Sequence, residues 1–75
     1  MQHRVKIRLD TMTDAATFVS ITSKLPGKIV VMDNDGMCVN AKSVMGMIYA
    51  LEFEELWCES ENDISFAIRD FTSIE

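Results

Sequence analysis

The 75-residue sequence has little of what interrupts or cross-links a chain: one proline, three glycines and two cysteines. So few glycines and prolines exclude a collagen-like repeat and a low-complexity linker. Apolar residues make up 48% of the chain, too many for a disordered tail. A chain of this length can enclose one hydrophobic core but not two. We therefore expect a single domain over residues 1–75.

Long apolar runs are also lacking. The uncharged stretch from Ser43 to Leu51 is far shorter than the roughly 20 residues that a membrane-spanning helix needs. No basic segment followed by an apolar one opens the chain, as a secretory leader would. The sequence therefore predicts a cytoplasmic protein without a membrane partner.

Positive charge is scarce and unevenly distributed. The net charge is −5, and residues 52–75 hold one base against eight acids, whereas residues 1–51 hold six bases against four acids. Binding to DNA or RNA requires a dense positive surface, because neutralising phosphates supplies most of the affinity. A nucleic-acid partner is therefore not expected.

Metal-binding side chains are few. Cys38 and Cys58 fit no close pair of zinc ligands, and His3 is the only histidine. We expect two buried or half-buried thiols on strands, with no metal and no cofactor; a disulfide would require an oxidising compartment, which nothing in the sequence indicates.

Alternation of polar and apolar residues predicts strands over Arg4–Leu9 and Glu54–Ser60. Two further short runs, Lys28–Met32 and Met37–Ala41, predict a hairpin around the Asp-Asn-Asp-Gly turn at residues 33–36. The same four residues also fit the start of a calcium loop, but such a loop needs flanking helices and a distal glutamate. The turn is the favoured interpretation.

Three segments have helical spacing of apolar residues. Their starts are marked by capping residues, namely Thr11 with Asp14, Ser43, and Ser60 with Asp63. Pro26 and Gly27 end the first helix. The stripes predicted to face the core are Ala15, Phe18, Val19, Thr22 and Leu25; Val44, Met47, Ile48 and Leu51; and Ile64, Ala67, Ile68 and Phe71.

The resulting order, β-α-β-β-α-β-α, predicts an α+β fold of two layers in which helices cover one face of an antiparallel sheet. If the last strand returns beside the first, Glu55 and Glu59 face the basic residues of the first strand on the open side. Trp57 on that side is then either a contact residue or, as the favoured interpretation, an aromatic that lies over the aliphatic stems of its neighbours.

The segment Asn40–Met47, Asn-Ala-Lys-Ser-Val-Met-Gly-Met, resembles the strand-to-helix junction of HPr, the histidine-containing phosphocarrier of the bacterial sugar phosphotransferase system. Residues 15–25 are similar to the first helix of that family. The resemblance covers most of the chain and implies an open-faced sandwich, a four-stranded antiparallel sheet with three helices on one face. Two stretches, near residues 52–54 and 60–63, are shorter than in the family.

The family's chemistry belongs to a Gly-Leu-His-Ala-Arg-Pro-Ala motif whose histidine carries a phosphoryl group. Residues 10–16 match that motif in position, with Met12 at the histidine and Asp14 at the arginine. A thioether has no nucleophilic nitrogen, and a carboxylate repels phosphate. The resemblance is therefore to members that lack the active-site histidine, and it implies a protein that is not an enzyme and has no catalytic residue.

His3 precedes the first predicted strand and is expected to be an ordinary surface histidine. A phosphocarrier that uses an unorthodox acceptor such as His3 remains an alternative. A degenerate domain that serves oligomerisation is another.

Ser43 matches the serine that a dedicated kinase phosphorylates in many Gram-positive HPr proteins. A phosphate at a helix N-cap meets free N–H groups and the positive end of the helix dipole. The alternative is that Ser43 is only a cap, worth about 1 kcal/mol.

Val44, Met45 and Ile48 match the apolar patch that HPr proteins offer to partners, and Tyr49 lies one turn beyond Met45. Val44 and Ile48 fit the core equally well. The predicted function is that of a regulatory or binding module that docks through its second helix, with Ser43 as the candidate phosphorylation site. A phosphotransferase-system enzyme, a serine kinase and a transcription regulator are the expected kinds of partner.

Overall fold

The computed structural model describes residues 3–72 of the protein. Its elements, in chain order, are β1 (His3–Ile7), α1 (Met12–Thr22), β2 (Ile29–Met32), β3 (Cys38–Asn40), α2 (Val44–Ala50), β4 (Leu56–Ser60) and α3 (Ser65–Ile68), which continues as a 3-10 turn (Arg69–Phe71). The predicted order of elements is confirmed, but β1 stops before Leu9 and β4 starts two residues after Glu54. The ends of the predicted domain, residues 1–2 and 73–75, lie outside the described residues.

The four strands form one antiparallel sheet in the order β1-β4-β2-β3. The last strand thus returns beside the first and lies between β1 and β2, with Arg4 opposite Glu59 and Val31 opposite Cys58. Together with the three helices, this sheet confirms the predicted α+β class.

The core lies between the helices and one face of the sheet. The largest fully buried side chains include Phe18, Ile29, Met47 and Ile68, contributed by α1, β2, α2 and α3. The Phe71 ring packs edge-on against Phe18, with centroids 5.6 Å apart. Each helix therefore contributes at least one anchor to a single core, as the short chain requires.

The turn at residues 33–36 is held by the side chain of its first residue. One carboxylate oxygen of Asp33 accepts hydrogen bonds from the N–H groups of Asp35 and Met37, each at 2.9 Å. Gly36 adopts a positive φ of 93°, which a residue without Cβ tolerates best. Strands flank this segment on both sides, so the hairpin prediction is confirmed and the calcium-loop alternative is wrong.

The predicted start of the third helix is wrong. Ser60 does not cap a helix; it is the buried last residue of β4, and its hydroxyl donates to the carbonyl of Asn62 at 2.6 Å. The helix begins only at Ser65, where the Asp63 carboxylate accepts from both the N–H and the hydroxyl of Ser65. Pairing of Ser60 with β1 and β2 extends the strand and delays the helix.

On the open face of the sheet, Lys6 forms an ion pair with Glu55 at 3.4 Å. The Arg4 guanidinium lies 4.9 Å from the centroid of the Trp57 ring, in agreement with the predicted position of the tryptophan. Arg8, by contrast, pairs with Asp10 at 3.2 Å instead of a β4 glutamate, because β1 ends before it.

Both cysteines are free thiols on strands, but the predicted burial holds for Cys58 alone. Cys38 is exposed because it lies on the edge strand β3 opposite Met32, on the open face of the sheet that also carries Trp57. Within residues 3–72, none of the helices is long and apolar enough to cross a bilayer.

Candidate functional site

The start of α1 carries Met12 and Asp14, the two residues that the sequence resemblance aligns with a histidine and an arginine. Thr11 caps this helix, and its hydroxyl accepts a hydrogen bond from the Asp14 N–H at 3.1 Å. The Asp14 carboxylate accepts from the N–H of Asp10 at 3.0 Å, one residue earlier than in a standard capping box. Met12 is the first residue of the helix, with 61% of its surface exposed.

This arrangement places an anion of the protein itself at the positive end of α1. A negative side chain in the first turn is stabilised by the helix dipole and by N–H groups without helical partners. Asp14 supplies that charge and is held in place by the Asp10 N–H. A phosphate at Met12 would meet both a side chain unable to bond to phosphorus and a repelling carboxylate.

His3 lies far from this segment. It is the first residue of β1, not a residue before the strand as predicted, and it pairs with Ser60. At about 3.3 Å per residue, β1 alone carries the chain roughly 13 Å away from His3 before the turn to α1 begins. The acidic group near His3 is Asp63, whose pKa is lowered mainly by hydrogen bonds from Ser65 and to a smaller extent by His3.

Ser43 caps α2. Its hydroxyl oxygen accepts a hydrogen bond from the Gly46 N–H at 3.1 Å, and its own N–H donates to the Asn40 carbonyl at 3.0 Å. The side chain is half-buried. The preceding Lys42 turns away and donates its ammonium group to the Leu25 carbonyl at 2.6 Å and to the Gly27 carbonyl at 2.9 Å.

The apolar side chains of α2 divide into two faces. Met47 and Ala50 are fully buried, whereas the outer face is formed by four residues, hereafter the α2 surface, with exposed fractions of 51% for Val44, 83% for Met45, 37% for Ile48 and 51% for Tyr49. The outward position predicted for Met45 and Tyr49 is confirmed. Of the two positions that the sequence left open for Val44 and Ile48, core or surface, the structure has the surface, because the helix is only seven residues long and is seated on Met47 and Ala50.

Phe53 extends the α2 surface and was not predicted from the sequence. Its ring packs edge-on against Tyr49, with centroids 5.7 Å apart. Two shallow clefts meet at Phe53: one of about 390 Å³ beside β1, and one of about 350 Å³ beside the β2–β3 turn. Phe53 follows Tyr49 by four residues, a helical spacing that could have indicated the contact, but Phe53 lies beyond the end of α2.

No cluster of three or more histidine, cysteine or acidic side chains suited to a metal ion occurs in the described part of the chain. Burial raises the pKa of the Cys58 thiol to about 12, which leaves it protonated and unreactive at neutral pH. Neither thiol lies at the start of α1 or on the α2 surface.

Comparison with family models and with curated proteins gives no match to the sequence. The solved structures that are similar to this chain include two HPr proteins. Phosphocarrier protein HPr from Bacillus anthracis str. Ames is 27% identical, with a TM-score of 0.67 over 93% of this chain and 89% of that one. HPr-C-His from Thermoanaerobacter tengcongensis is 28% identical, with a TM-score of 0.63 over 92% of this chain and 83% of that one. The fold is therefore that of HPr phosphocarrier proteins, as the sequence resemblance implied.

Proposed function

We propose that this protein is an HPr-like binding and regulatory module that does not carry phosphoryl groups at the family's histidine position. It docks on partner proteins through the α2 surface, and phosphorylation of Ser43 controls that docking. The observation that carries the proposal is the exposure of four adjacent apolar side chains on a seven-residue helix directly after Ser43. Single exposed apolar side chains are common, whereas a contiguous group of them marks a binding surface.

The start of α1 supports the first part of the proposal. Met12 offers no acceptor nitrogen, and Asp14, which the sequence resemblance aligns with the family's arginine, adds a carboxylate to the first turn of α1. Incubation with phosphoenolpyruvate and the general phosphotransferase enzyme is expected to leave the protein unlabelled. An acid-labile label that is lost in His3→Gln would instead make the protein a phosphocarrier with an unorthodox acceptor.

The α2 surface supports the second part. Methionine is flexible and polarizable, and therefore suits contacts with partners of different shape. Met45 has 83% of its surface exposed, beside Ile48 and Tyr49. The partners that we propose, a phosphotransferase-system enzyme, a serine kinase or a transcription regulator, would each contact this face.

The position of Ser43 supports the third part. A phosphate on its oxygen would add negative charge beside Val44 and Met45 at the edge of the docking face, and would therefore change the chemistry that a partner meets. The phosphate would lie at the start of α2, where negative charge is stabilised and need not unfold the helix.

A kinase assay tests the role of Ser43, and the choice of variant separates phosphorylation from capping. Ser43→Asn retains a good N-cap but lacks the hydroxyl, so it should fold like the wild type and accept no phosphate. Ser20→Ala, which changes an exposed serine on α1, is the matched control and should be phosphorylated normally. Equal labelling of the wild type and Ser43→Asn, or no labelling of either, would leave Ser43 with a capping role only.

A further inference from the structure

The α2 surface continues into a strongly acidic region of the molecule. From Tyr49 the apolar surface passes to Phe53, and from Phe53 to the cleft of about 350 Å³ beside the β2–β3 turn. The acidic residues that line this cleft are Asp33, Asp35, Glu52, Glu54 and Glu55, and no lysine or arginine lines it. One end of the docking face is therefore bordered by negative charge.

Part of this charge is already neutralised or used within the fold. Glu55 pairs with Lys6, and Asp33 accepts two backbone N–H groups of the turn. On the other side of Phe53, the cleft beside β1 is lined by Lys6, which pairs with Glu55, and by Arg8, which pairs with Asp10.

Three carboxylates remain uncompensated: Asp35, Glu52 and Glu54 have no ion-pair or side-chain hydrogen-bond partner among residues 3–72. We refer to these three residues as the acidic rim. All three are exposed to solvent.

Two further positive side chains are engaged away from the rim. Lys42 is bound to the Leu25 and Gly27 carbonyls beyond the end of α1, and Arg4 lies over Trp57 on the open face of the sheet. An apolar helix face with negative charge at one end complements a partner that combines apolar side chains with lysine or arginine. An acidic partner would be repelled, since like charges brought together at an interface are strongly unfavourable.

We propose that the α2 surface and the acidic rim together bind a basic amphipathic segment of another protein, whose apolar side chains cover Met45, Ile48 and Tyr49 and whose lysine or arginine side chains reach Glu52 and Glu54. This inference rests on the proposed docking function and specifies the chemistry of the partner. Electrostatic attraction at the rim speeds encounter and sets orientation, whereas contact with the apolar face supplies most of the affinity.

The probes that test this inference are two designed amphipathic helical peptides with identical apolar faces, one with lysine and one with glutamate on the polar face. Amide chemical shifts of the labelled protein are followed during titration with each peptide at low and at physiological salt. We expect the lysine peptide to shift the amides of α2 and of residues 52–54, and to bind about tenfold or more tightly than the glutamate peptide. The difference between the peptides should shrink as salt increases.

Matched variants separate specific docking from general attraction to an acidic protein. Glu52→Lys should weaken binding of the lysine peptide by several-fold, whereas Asp70→Lys, which changes the net charge equally at an exposed position in the 3-10 turn, should leave it nearly unchanged. Met45→Gln should also weaken binding, whereas Phe66→Gln, at an apolar side chain that is 72% exposed on α3, should not. Equal effects of Glu52→Lys and Asp70→Lys would overturn the inference.

The outcomes also distinguish this inference from the proposed function. If the two peptides bind α2 equally and Met45→Gln weakens both, docking stands and the basic partner is wrong. If neither peptide shifts the α2 amides at millimolar concentration, the docking function fails together with the inference. If dilution of the protein alone produces the same shifts, the occupant is a second copy of this chain and the inference is again wrong.

Discussion

At the scale of single residues, Met12 and Asp14 at the start of α1 carry the proposal that this protein does not bind a phosphoryl group there. Met12 is exposed at the first position of the helix, and Asp14 supplies negative charge to the first turn. The carboxylate also holds the Asp10 N–H, so it contributes to the structure as well as opposing a second anion. The two residues therefore act separately: Met12 cannot form a bond to phosphorus, and Asp14 repels the phosphate charge.

We predict that Met12→His alone is labelled slowly or not at all by phosphoenolpyruvate and the general phosphotransferase enzyme. The double variant Met12→His with Asp14→Arg should be labelled at least about tenfold faster, because a cation replaces the repelling carboxylate. The rate of incorporation of labelled phosphate is the measurement. Met12→His with Asp14→Asn, which removes the charge without adding a cation, should lie between the two, and equal rates for all three would contradict the electrostatic argument.

The two thiols should differ in reactivity. The exposed Cys38 is predicted to react with iodoacetamide at pH 8, while Cys58, with its pKa raised to about 12 by burial, reacts only after unfolding in urea. Mass spectrometry of alkylated peptides is the measurement. Rapid alkylation of folded Cys58 would show that the core opens readily.

The raised pKa of Cys58 also has a consequence for stability. The unfolded thiol ionises near its ordinary value of 9.0 and the folded thiol near 12, so the folded state holds more protons between these values. The contribution of the protonated Cys58 thiol to the free energy of unfolding is therefore complete below pH 9 and is lost as the pH rises toward 12. Because Cys58→Val has no thiol to ionise at this position, its free energy of unfolding should fall less between pH 9 and pH 12 than that of the wild type.

At the scale of elements, the junction between α1 and α2 depends on one side chain that spans them. Lys42 precedes α2 and donates its ammonium group to two carbonyls beyond the end of α1. These carbonyls belong to the loop between α1 and β2, and the charge-assisted hydrogen bonds from Lys42 hold that loop against the start of α2. Gly27, at the second of these carbonyls, has a positive φ of 84° and lets the chain turn back toward β2.

We predict that Lys42→Met lowers the free energy of unfolding by about 1.5–3 kcal/mol, the range for hydrogen bonds to a charged group. Lys24→Met, at an exposed lysine near the end of α1, should change it by less than about 0.5 kcal/mol. Urea denaturation of both variants is the measurement. Equal effects of Lys42→Met and Lys24→Met would mean that water satisfies the two carbonyls as well as the Lys42 ammonium group does.

At the scale of the whole molecule, return of β4 between β1 and β2 brings the acidic second part of the chain beside the basic first part. The contacts across that seam are the Lys6–Glu55 ion pair and the register of Arg4 with Glu59. Exposed pairs of this kind contribute about 0.2–1 kcal/mol each, so they favour the register more than they stabilise the fold.

The helical layer is joined to the segment after β3 by Thr22, a fully buried residue whose hydroxyl donates to the Ala41 carbonyl at 2.7 Å.

Thr22→Val is predicted to cost about 1–3 kcal/mol of unfolding free energy, because it preserves the shape of the side chain but leaves the buried Ala41 carbonyl without its hydroxyl partner. Thr17→Val, the same change on the exposed face of α1, is the control and should be nearly neutral. Thermal or urea unfolding measures both. If Thr22→Val and Thr17→Val proved equally stable, a shift of the backbone or a water molecule would have to supply the hydrogen bond to the Ala41 carbonyl.

The sequence by itself determined the local features of this protein. Thr11 and Ser43 cap helices, Gly36 turns a hairpin, and alternation at Leu56–Ser60 makes a strand, because each of these depends on side chains within a few residues of one another. The motif around Ser43 also indicated the HPr fold that the solved structures share.

Tertiary structure decided which of two equivalent helix faces is buried and which distant groups meet. Val44 and Ile48 are as apolar as Met47, and only the packing of a short helix on α1 and β3 leaves them outside. The contact of Tyr49 with Phe53, the acidic rim around it and the delayed start of α3 likewise arise from segments brought together by the sheet. Periodicity gives the width of an apolar face but not the direction from which the rest of the chain approaches it, and that direction decided where this protein presents its exposed apolar surface.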